Sequence, residues 1–172
     1  MFKKKLFFSI LIPFLCYFSG ACVSIKLPTS DNNAKTTKYN NIKFQSPTSP
    51  FYESSSSYAD KVWLSQKTGN SLSYLSSCPA QKNDLELLQT DSISVLQQVQ
   101  VVARKKIILN KVNALETIYE GYSDEKKVRV ALLSFIEHDC EFLVTYTGLE
   151  QTFDQEKKSY DDFKTTFKIL EE

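Results

Sequence analysis

The chain has 172 residues, of which 42% are hydrophobic, and it contains only 4 Gly and 5 Pro. This length suits one domain with a folded core and is short for two, and the composition excludes a low-complexity protein. The net charge of +1 falls to −2 if residues 1–21 are removed with their three lysines, so it gives no sign of nucleic-acid binding.

The first 21 residues have the order of a secretory signal. Lysines at 3–5 form a charged start, an apolar run covers 6–18, and small residues occupy 19–21. This order of charged, apolar and small residues is typical of a segment that is cleaved on export. Spanning a bilayer needs about 20 apolar residues, so a permanent transmembrane helix is the weaker interpretation.

Ser19-Gly20-Ala21-Cys22 resembles a bacterial lipobox, in which small residues precede a cysteine that is lipidated and becomes the new N-terminus. The resemblance implies cleavage between Ala21 and Cys22 and fatty acyl chains on Cys22, and two or more such chains anchor stably. Ser19 stands where the family usually has an aliphatic residue. The alternative is ordinary signal cleavage, which leaves Cys22 as a free thiol or a disulfide partner. Val23, rather than aspartate, follows the cysteine, which by the same resemblance favours the periplasmic face of a Gram-negative outer membrane.

The next segment is polar and has no periodicity. Residues 22–41 are rich in Asn, Thr and Lys, which predicts a lipid-anchored flexible tether before a single domain at 42–172. The serine run at 54–57 is either a loop or the beginning of a strand that continues through Tyr58.

A β-hairpin is predicted around residues 67–70, KTGN. Strand-like runs flank this stretch, and its glycine and asparagine tolerate the positive φ that tight turns require. Leu72, Tyr74 and Ser76 would share one face of the second strand, which ends near Cys78.

A helix is predicted for 84–99, because Asp84 can cap its N-terminus and apolar residues recur at roughly helical spacing. Four strands are predicted next, at 101–109, 114–122, 126–137 and 141–148, and the last of them would pair with 126–137. The apolar residues of 126–137 fall on both faces, which indicates a central strand covered on both sides. A turn at 137–141 would join it to the last strand.

The chain closes with a second predicted helix, at 154–170. Thr152 stands three residues before Gln155, a pattern that suggests a capping box. Tyr160, Phe163, Phe167 and Leu170 form a stripe that would pack on a sheet, although a partner-binding helix is the alternative. The predicted fold is therefore α+β, with helices covering an antiparallel sheet.

This element order resembles the α/β/α sandwich of the PsbP proteins of photosystem II. Residues 60–78, DKVWLSQKTGNSLSYLSSC, are also similar to a segment of bacterial lipoproteins of uncharacterised function, with a tryptophan, a Gly-Asn turn and a cysteine. The resemblance covers about 44–170 and implies no catalytic residues. Trp63 is expected in the core or against the hairpin rather than in a surface groove.

The cysteines suggest a covalent link. Cys16 would leave with the signal and Cys22 would carry lipid, so Cys78 and Cys140 remain as an even pair in an exported domain. An oxidising compartment favours a disulfide between them. Two buried thiols or a redox pair are the alternatives, although no C-x-x-C spacing supports redox chemistry.

Catalytic or metal chemistry would have to use the one histidine, His138, in IEHDCE. Neighbouring residues in a turn rarely converge on a metal ion. We therefore expect an exposed turn with a solvated acidic cluster of Glu137, Asp139 and Glu141, and no metal or cofactor. A hydrolase that uses His138 in a spatially assembled triad is the alternative.

Nucleotide binding has no support, since the glycine-rich phosphate-binding motifs are missing from the sequence. The basic cluster ARKK at 103–106 lies in a predicted strand, where side chains point alternately to opposite faces. It is therefore expected to be a solvated edge rather than one basic patch.

The sequence thus favours a non-enzymatic cell-envelope lipoprotein, a protein-binding or scaffold module whose envelope partner is not identified and which reaches the membrane through its N-terminal lipid. A module that binds a small apolar ligand or lipid in envelope transport is the alternative, suggested by 9 Tyr and 12 Phe.

Overall fold

The computed structural model describes residues 38–79 and 84–170. The helices are α1 (Leu85–Ser92), α2 (Glu150–Phe153) and α3 (Lys157–Thr166). The strands are β1 (Ile42–Lys43), β2 (Phe51–Ser54), β3 (Lys61–Ser65), β4 (Ser71–Ser77), β5 (Gln97–Leu109), β6 (Val112–Ser123), β7 (Lys126–Glu137), β8 (Cys140–Leu149) and β9 (Lys168–Ile169). None of the helices in these two ranges has the length and apolarity to cross a membrane.

Most strands belong to one antiparallel sheet in the order β2-β3-β4-β8-β7-β6-β5, while β1 pairs with β9 apart from it. Two runs of hairpin-connected strands, β2 to β4 and β5 to β8, meet where β4 pairs with β8. The helix α1 covers one face of the sheet, and α3 covers the other. The predicted α+β class with an antiparallel sheet covered by helices is confirmed.

Tight turns connect β5 to β8. In each turn both central residues have positive φ, as type I′ hairpin turns require: Asn110-Lys111, Asp124-Glu125 and His138-Asp139. Asn and Asp adopt this conformation more readily than most residues, so local sequence determines where each strand reverses.

The larger hydrophobic core lies between the sheet and α3, and it is mainly aromatic. Trp63 is buried in β3, as expected, with its ring 5.4 Å from that of Phe163. Phe44 contributes from the N-terminal side, 5.6 Å from Trp63 and 5.1 Å from Tyr74. The predicted stripe Tyr160, Phe163 and Phe167 is buried here, whereas Leu170 is exposed.

The opposite face has a smaller core under α1. Beside it the side chain of Gln89 is buried, and its Nε2 donates to the carbonyl of Leu115 at 2.8 Å and to Ser134 Oγ at 3.0 Å. Tyr119 donates its hydroxyl to Gln89 Oε1 at 3.2 Å. These bonds satisfy a polar side chain that would be costly to bury alone.

The first predicted helix is shorter than expected. Asp84 caps it, accepting from the N–H groups of Glu86 and Leu87, but it ends at Ser92 instead of residue 99. Ser92 donates its hydroxyl back to the carbonyl of Leu88, and the chain then enters β5 at Gln97. Val99, Val101 and Val102 lie in β5, and such β-branched residues suit a strand better than a helix.

The final predicted helix, 154–170, is shorter than expected: α3 covers only Lys157–Thr166, the separate short helix α2 precedes residue 154, and β9 follows α3. The expected capping box is wrong, because Thr152 Oγ1 donates to Asn70 Oδ1 at 2.9 Å instead of capping a helix. At the C-terminal end of α3, the backbone of Phe167 is extended, so the helix stops there. The carbonyl of Phe167 accepts a hydrogen bond from Asn110 Nδ2 at 2.6 Å.

Residues 38–41, which the sequence places in the tether, pack against the sheet. Tyr39 donates its N–H to Ser76 Oγ and its hydroxyl to the carbonyl of Leu170, both at 3.2 Å. Its ring lies edge-on to Phe142 at 5.6 Å. The folded domain therefore extends N-terminally of residue 42, to residue 38 at least.

Candidate functional site

The predicted cleavage and lipidation residues, Ala21 and Cys22, lie outside the described residues. The expected pairing of Cys78 with Cys140 is present as a disulfide between cysteines 62 positions apart. It joins the end of β4 to the beginning of β8, and Cys140 is buried. The bond therefore links the two hairpin units of the sheet covalently.

His138 lies in the β7–β8 turn with 42% of its side chain exposed. Its ring stacks on Tyr39 at 5.9 Å, and its Nε2 lies 3.7 Å from Glu137. Glu141, expected in a solvated acidic cluster, is instead buried in β8, since the turn is only two residues long. Within 38–79 and 84–170, no group of three or more His, Cys, Asp or Glu side chains is arranged to hold a metal ion.

A buried ion cluster between β6 and α3 was not predicted from the sequence. Glu116 is buried and accepts from Lys164, while Lys105 reaches its other oxygen at 2.8 Å. Burial opposes ionisation of Glu116, but the hydrogen bonds from the two lysines outweigh it and hold the pKa of this carboxyl below its usual value. Lys164 also lies over the ring of Tyr160, 4.2 Å from its centroid, in a cation–π contact.

A cleft of about 160 Å³ opens beside this cluster, between β5 and the first turn of α3. It is lined by Ala103, Arg104, Lys105, Glu116, Ile118 and Lys157. The charged groups at its base already bind one another, so their present role is to hold α3 on the sheet.

The edge strand β5 is the most exposed large feature of the sheet. No strand of the described sheet pairs with its outer side, and its residues from Gln97 to Lys106 are all exposed. Five of the nine large apolar residues that are exposed in the described ranges lie in this region: Val95, Val99, Val101, Val102 and Ile108. Such a concentration of apolar side chains beside free backbone groups is typical of an interaction surface.

Two features of β5 would restrict which strands can pair with it. Its register with β6 shifts between Gln97 and Gln100 and again between Val101 and Ala103. Bulges of this kind, together with basic residues on the edge, disfavour indiscriminate strand pairing. An acidic strand would match the basic residues where a neutral or basic strand would not.

The basic residues of β5 point to opposite faces, as predicted. Arg104 contacts Glu86 of α1 at 3.3 Å and the hydroxyl of Tyr119 at 3.2 Å. Lys105 instead reaches Glu116 under α3. Lys106, on the face of Arg104, is exposed and has no ion pair within the described part of the chain.

Two further clefts are open grooves. One, of about 330 Å³, lies between residues 45–48 and α3 and has a largely hydroxyl-bearing lining. The other, of about 80 Å³, lies near His138 and Ile169. Aromatic rings fill the interior between the sheet and α3, so this interior does not support the apolar-ligand alternative.

No known family model matches the sequence, and no curated protein matches it. Solved structures do match the fold. LpqN of Mycobacterium tuberculosis, which is involved in cell envelope biogenesis, has a TM-score of 0.65 at 11% identity, over 81% of this chain and 93% of that protein. Cyanobacterial PsbP from Synechocystis has a TM-score of 0.53 at 13% identity, over 84% and 99%. PA94 of Pseudomonas aeruginosa, a protein of unknown function, has a TM-score of 0.50 at 11% identity, over 74% and 87%.

At these identities the likenesses concern the fold alone. They confirm the expected similarity to PsbP.

Proposed function

We propose that this protein is a non-enzymatic cell-envelope lipoprotein, held through Cys22 at the periplasmic face of the outer membrane, whose domain binds an extended acidic segment of another envelope protein along β5. The lipobox-like sequence and the fold shared with LpqN, an envelope-biogenesis protein, support the location. The exposed edge of β5 is the observation that carries the binding function.

Strand addition explains why β5 is long, exposed and apolar. An extended segment that pairs with its outer side would satisfy main-chain groups and cover Val101 and Val102, which are 51% and 52% exposed. Main-chain hydrogen bonds supply affinity in this mode, and side-chain pockets supply specificity.

The basic residues of β5 indicate that the added strand is acidic. Lys106 has no ion pair in the described part of the chain, and the ion pair of Arg104 with Glu86 is partly exposed, beside a hydrogen bond from Arg104 to the Tyr119 hydroxyl. Acidic side chains on the added strand would stand opposite these cations. Such cross-strand pairs contribute about 0.2–1 kcal/mol each and suppress unsuitable partners.

Site-specific photocrosslinking in cells tests this proposal. A photoreactive residue replaces Val102 on β5 or, as a control, Tyr52 on the opposite edge strand β2; the two side chains are 52% and 45% exposed. We expect a discrete crosslinked product from position 102 only, with an acidic, extended segment of one envelope protein at the crosslink. Products of equal yield from both positions, or no product from position 102, would contradict the proposal.

A charge-reversal pair tests the acidic partner. Lys106→Glu should reduce the position-102 product about fivefold at low salt, because it replaces attraction by repulsion. Lys126→Glu is the control, since Lys126 is also exposed but begins β7. An equal effect of both substitutions would show that overall charge, rather than β5, controls the interaction.

A further inference from the structure

The small β1–β9 sheet contains an unfavourable charge pair. Its register places Lys43 directly opposite Lys168, and both are exposed. Like charges at directly opposed positions destabilise a sheet. Neither lysine has an ion pair within the described part of the chain, so an anion from outside would relieve the repulsion.

Other lysines lie at the same end of the domain. The bond from Asn110 to the carbonyl of Phe167 holds the β5–β6 turn, which includes the exposed Lys111, against the beginning of β9. Lys38 begins the described chain and keeps 65% of its side chain exposed although it pairs with Asp60. We call this surface the basic end; it consists of Lys38, Lys43, Lys111 and Lys168.

Two of the acidic residues near the basic end in the described ranges are not open to solvent, because Asp60 is paired with Lys38 and Glu141 is buried. Glu137 and Asp139 belong to the β7–β8 turn, where Glu137 lies 3.7 Å from His138. Glu171 and Glu172 follow Lys168 in the sequence but are outside the described residues. The exposed apolar residue Leu170 adds a side chain that suits a headgroup region.

The position of the N-terminus indicates what occupies this surface. The chain enters the domain at residue 38, on the basic end, and residues 22–37 precede it. Sixteen residues span at most about 55 Å even when fully extended, so an anchored Cys22 would keep this end near the bilayer. Lysines close to an anionic bilayer are attracted to it.

We propose that the basic end docks on anionic phospholipid headgroups of the membrane that carries the anchor. This inference rests on the proposed function for the orientation of the domain. Its charge argument, the opposed Lys43 and Lys168, is independent of the anchor.

Vesicle binding tests the proposal without the lipid. Residues 22–172 with Cys22→Ser and the disulfide intact are mixed with vesicles of phosphatidylcholine alone or with added phosphatidylglycerol, and the bound fraction is measured by sedimentation. We expect binding only to the phosphatidylglycerol vesicles, with a strength that falls as salt is added. No binding to these vesicles would overturn the proposal.

Two matched variants locate the surface. Lys43→Glu with Lys168→Glu should weaken binding about 25-fold or more, at about fivefold per lysine. Lys67→Glu with Lys126→Glu changes the net charge equally, but at the opposite end of the sheet. We expect this variant to lose less than about threefold in vesicle binding, because only the nonspecific effect of net charge remains. An equal loss in both variants would overturn the assignment.

The single variant Lys43→Glu provides a second readout. It turns the like-charged pair into an opposite-charged one, so the thermal midpoint should rise while vesicle binding falls. A fall in both the thermal midpoint and vesicle binding would show that Lys43 stabilises the fold, and it would overturn the charge argument. Because Cys22 is absent from these samples, a failure here leaves the anchor and the β5 proposal intact, and a failure of either leaves this result standing.

Discussion

Replacing Gly148 by alanine should loosen the junction between the β3–β4 turn and the end of β8. A Cβ at this position would lie 2.2 Å from Asn70 Oδ1 and 2.7 Å from its Cγ. The Asn70 side chain cannot move away freely, because it is completely buried. Its Nδ2 donates to the hydroxyl of Tyr146 at 2.8 Å and to the carbonyl of Thr152 at 2.9 Å.

The magnitude follows from these bonds. Displacing the carboxamide would break its contacts to Tyr146, Thr152 and Glu156, and a buried hydrogen bond contributes about 1 kcal/mol, with more lost if a partner is left unsatisfied. The lower backbone entropy of alanine returns about 0.5–1 kcal/mol. We therefore expect the free energy of unfolding to fall by about 2–3 kcal/mol, which urea denaturation measures as a lower midpoint.

A double-mutant cycle identifies the cause. Asn70→Ala removes the group that the new methyl would strike, so Gly148→Ala in that background should be neutral or slightly stabilising. The expected coupling between the two sites is about 2 kcal/mol, within the range for residues in contact. Additive losses would refute the reasoning, because they would mean that Gly148 tolerates no side chain for a reason other than Asn70.

Two further predictions concern the covalent and ionic links. Replacing Cys78 and Cys140 together by serine should lower the free energy of unfolding by about 4 kcal/mol, since the bond closes a loop between residues 62 positions apart; a loss below about 1 kcal/mol in urea denaturation would contradict this. Because Glu116 has a pKa held below its usual 4.5, its stabilisation is present above that value and is lost as pH falls through the folded-state pKa. Glu116→Gln should therefore flatten the decline in thermal midpoint below about pH 4.5. An unchanged decline would assign the acid sensitivity to other carboxyls.

Local patterns predicted the centre of the sheet well. The run 126–137 is buried on most positions of both faces in β7, as its continuous apolar sequence indicated. The hairpin at KTGN also forms, with Leu72, Tyr74 and Ser76 buried on one face. These features depend on residues close in sequence, where side-chain period and turn preference act directly.

Long-range contacts account for most of what the sequence did not indicate. The strands β1 and β9 have two residues each, and the partners Ile42 and Ile169 are 127 positions apart, so no periodicity marks these strands. Thr152 is diverted from a helix cap by Asn70, a partner 82 positions away. Lys164 and Glu116 meet across 48 positions, and each alone has the character of a solvated surface residue.

The sequence predicted only part of the exposed edge strand β5. Alternation predicted that Arg104 and Lys105 would point to opposite faces, and the structure agrees. The exposure of Val101 and Val102 was not predicted, because an apolar pair in a strand is normally assigned to the core. Only the strand order, which places β5 outermost, reveals that these valines are exposed.

The intact mass of the protein purified from membranes, measured with and without reduction, tests the lipid anchor on Cys22 most directly. We expect the mass of residues 22–172 plus a diacyl or triacyl group on Cys22, with a gain of two hydrogens when the Cys78–Cys140 bond is reduced. A mass without lipid, or one that retains residues 1–21, would contradict the proposal that the domain works from a lipid anchor.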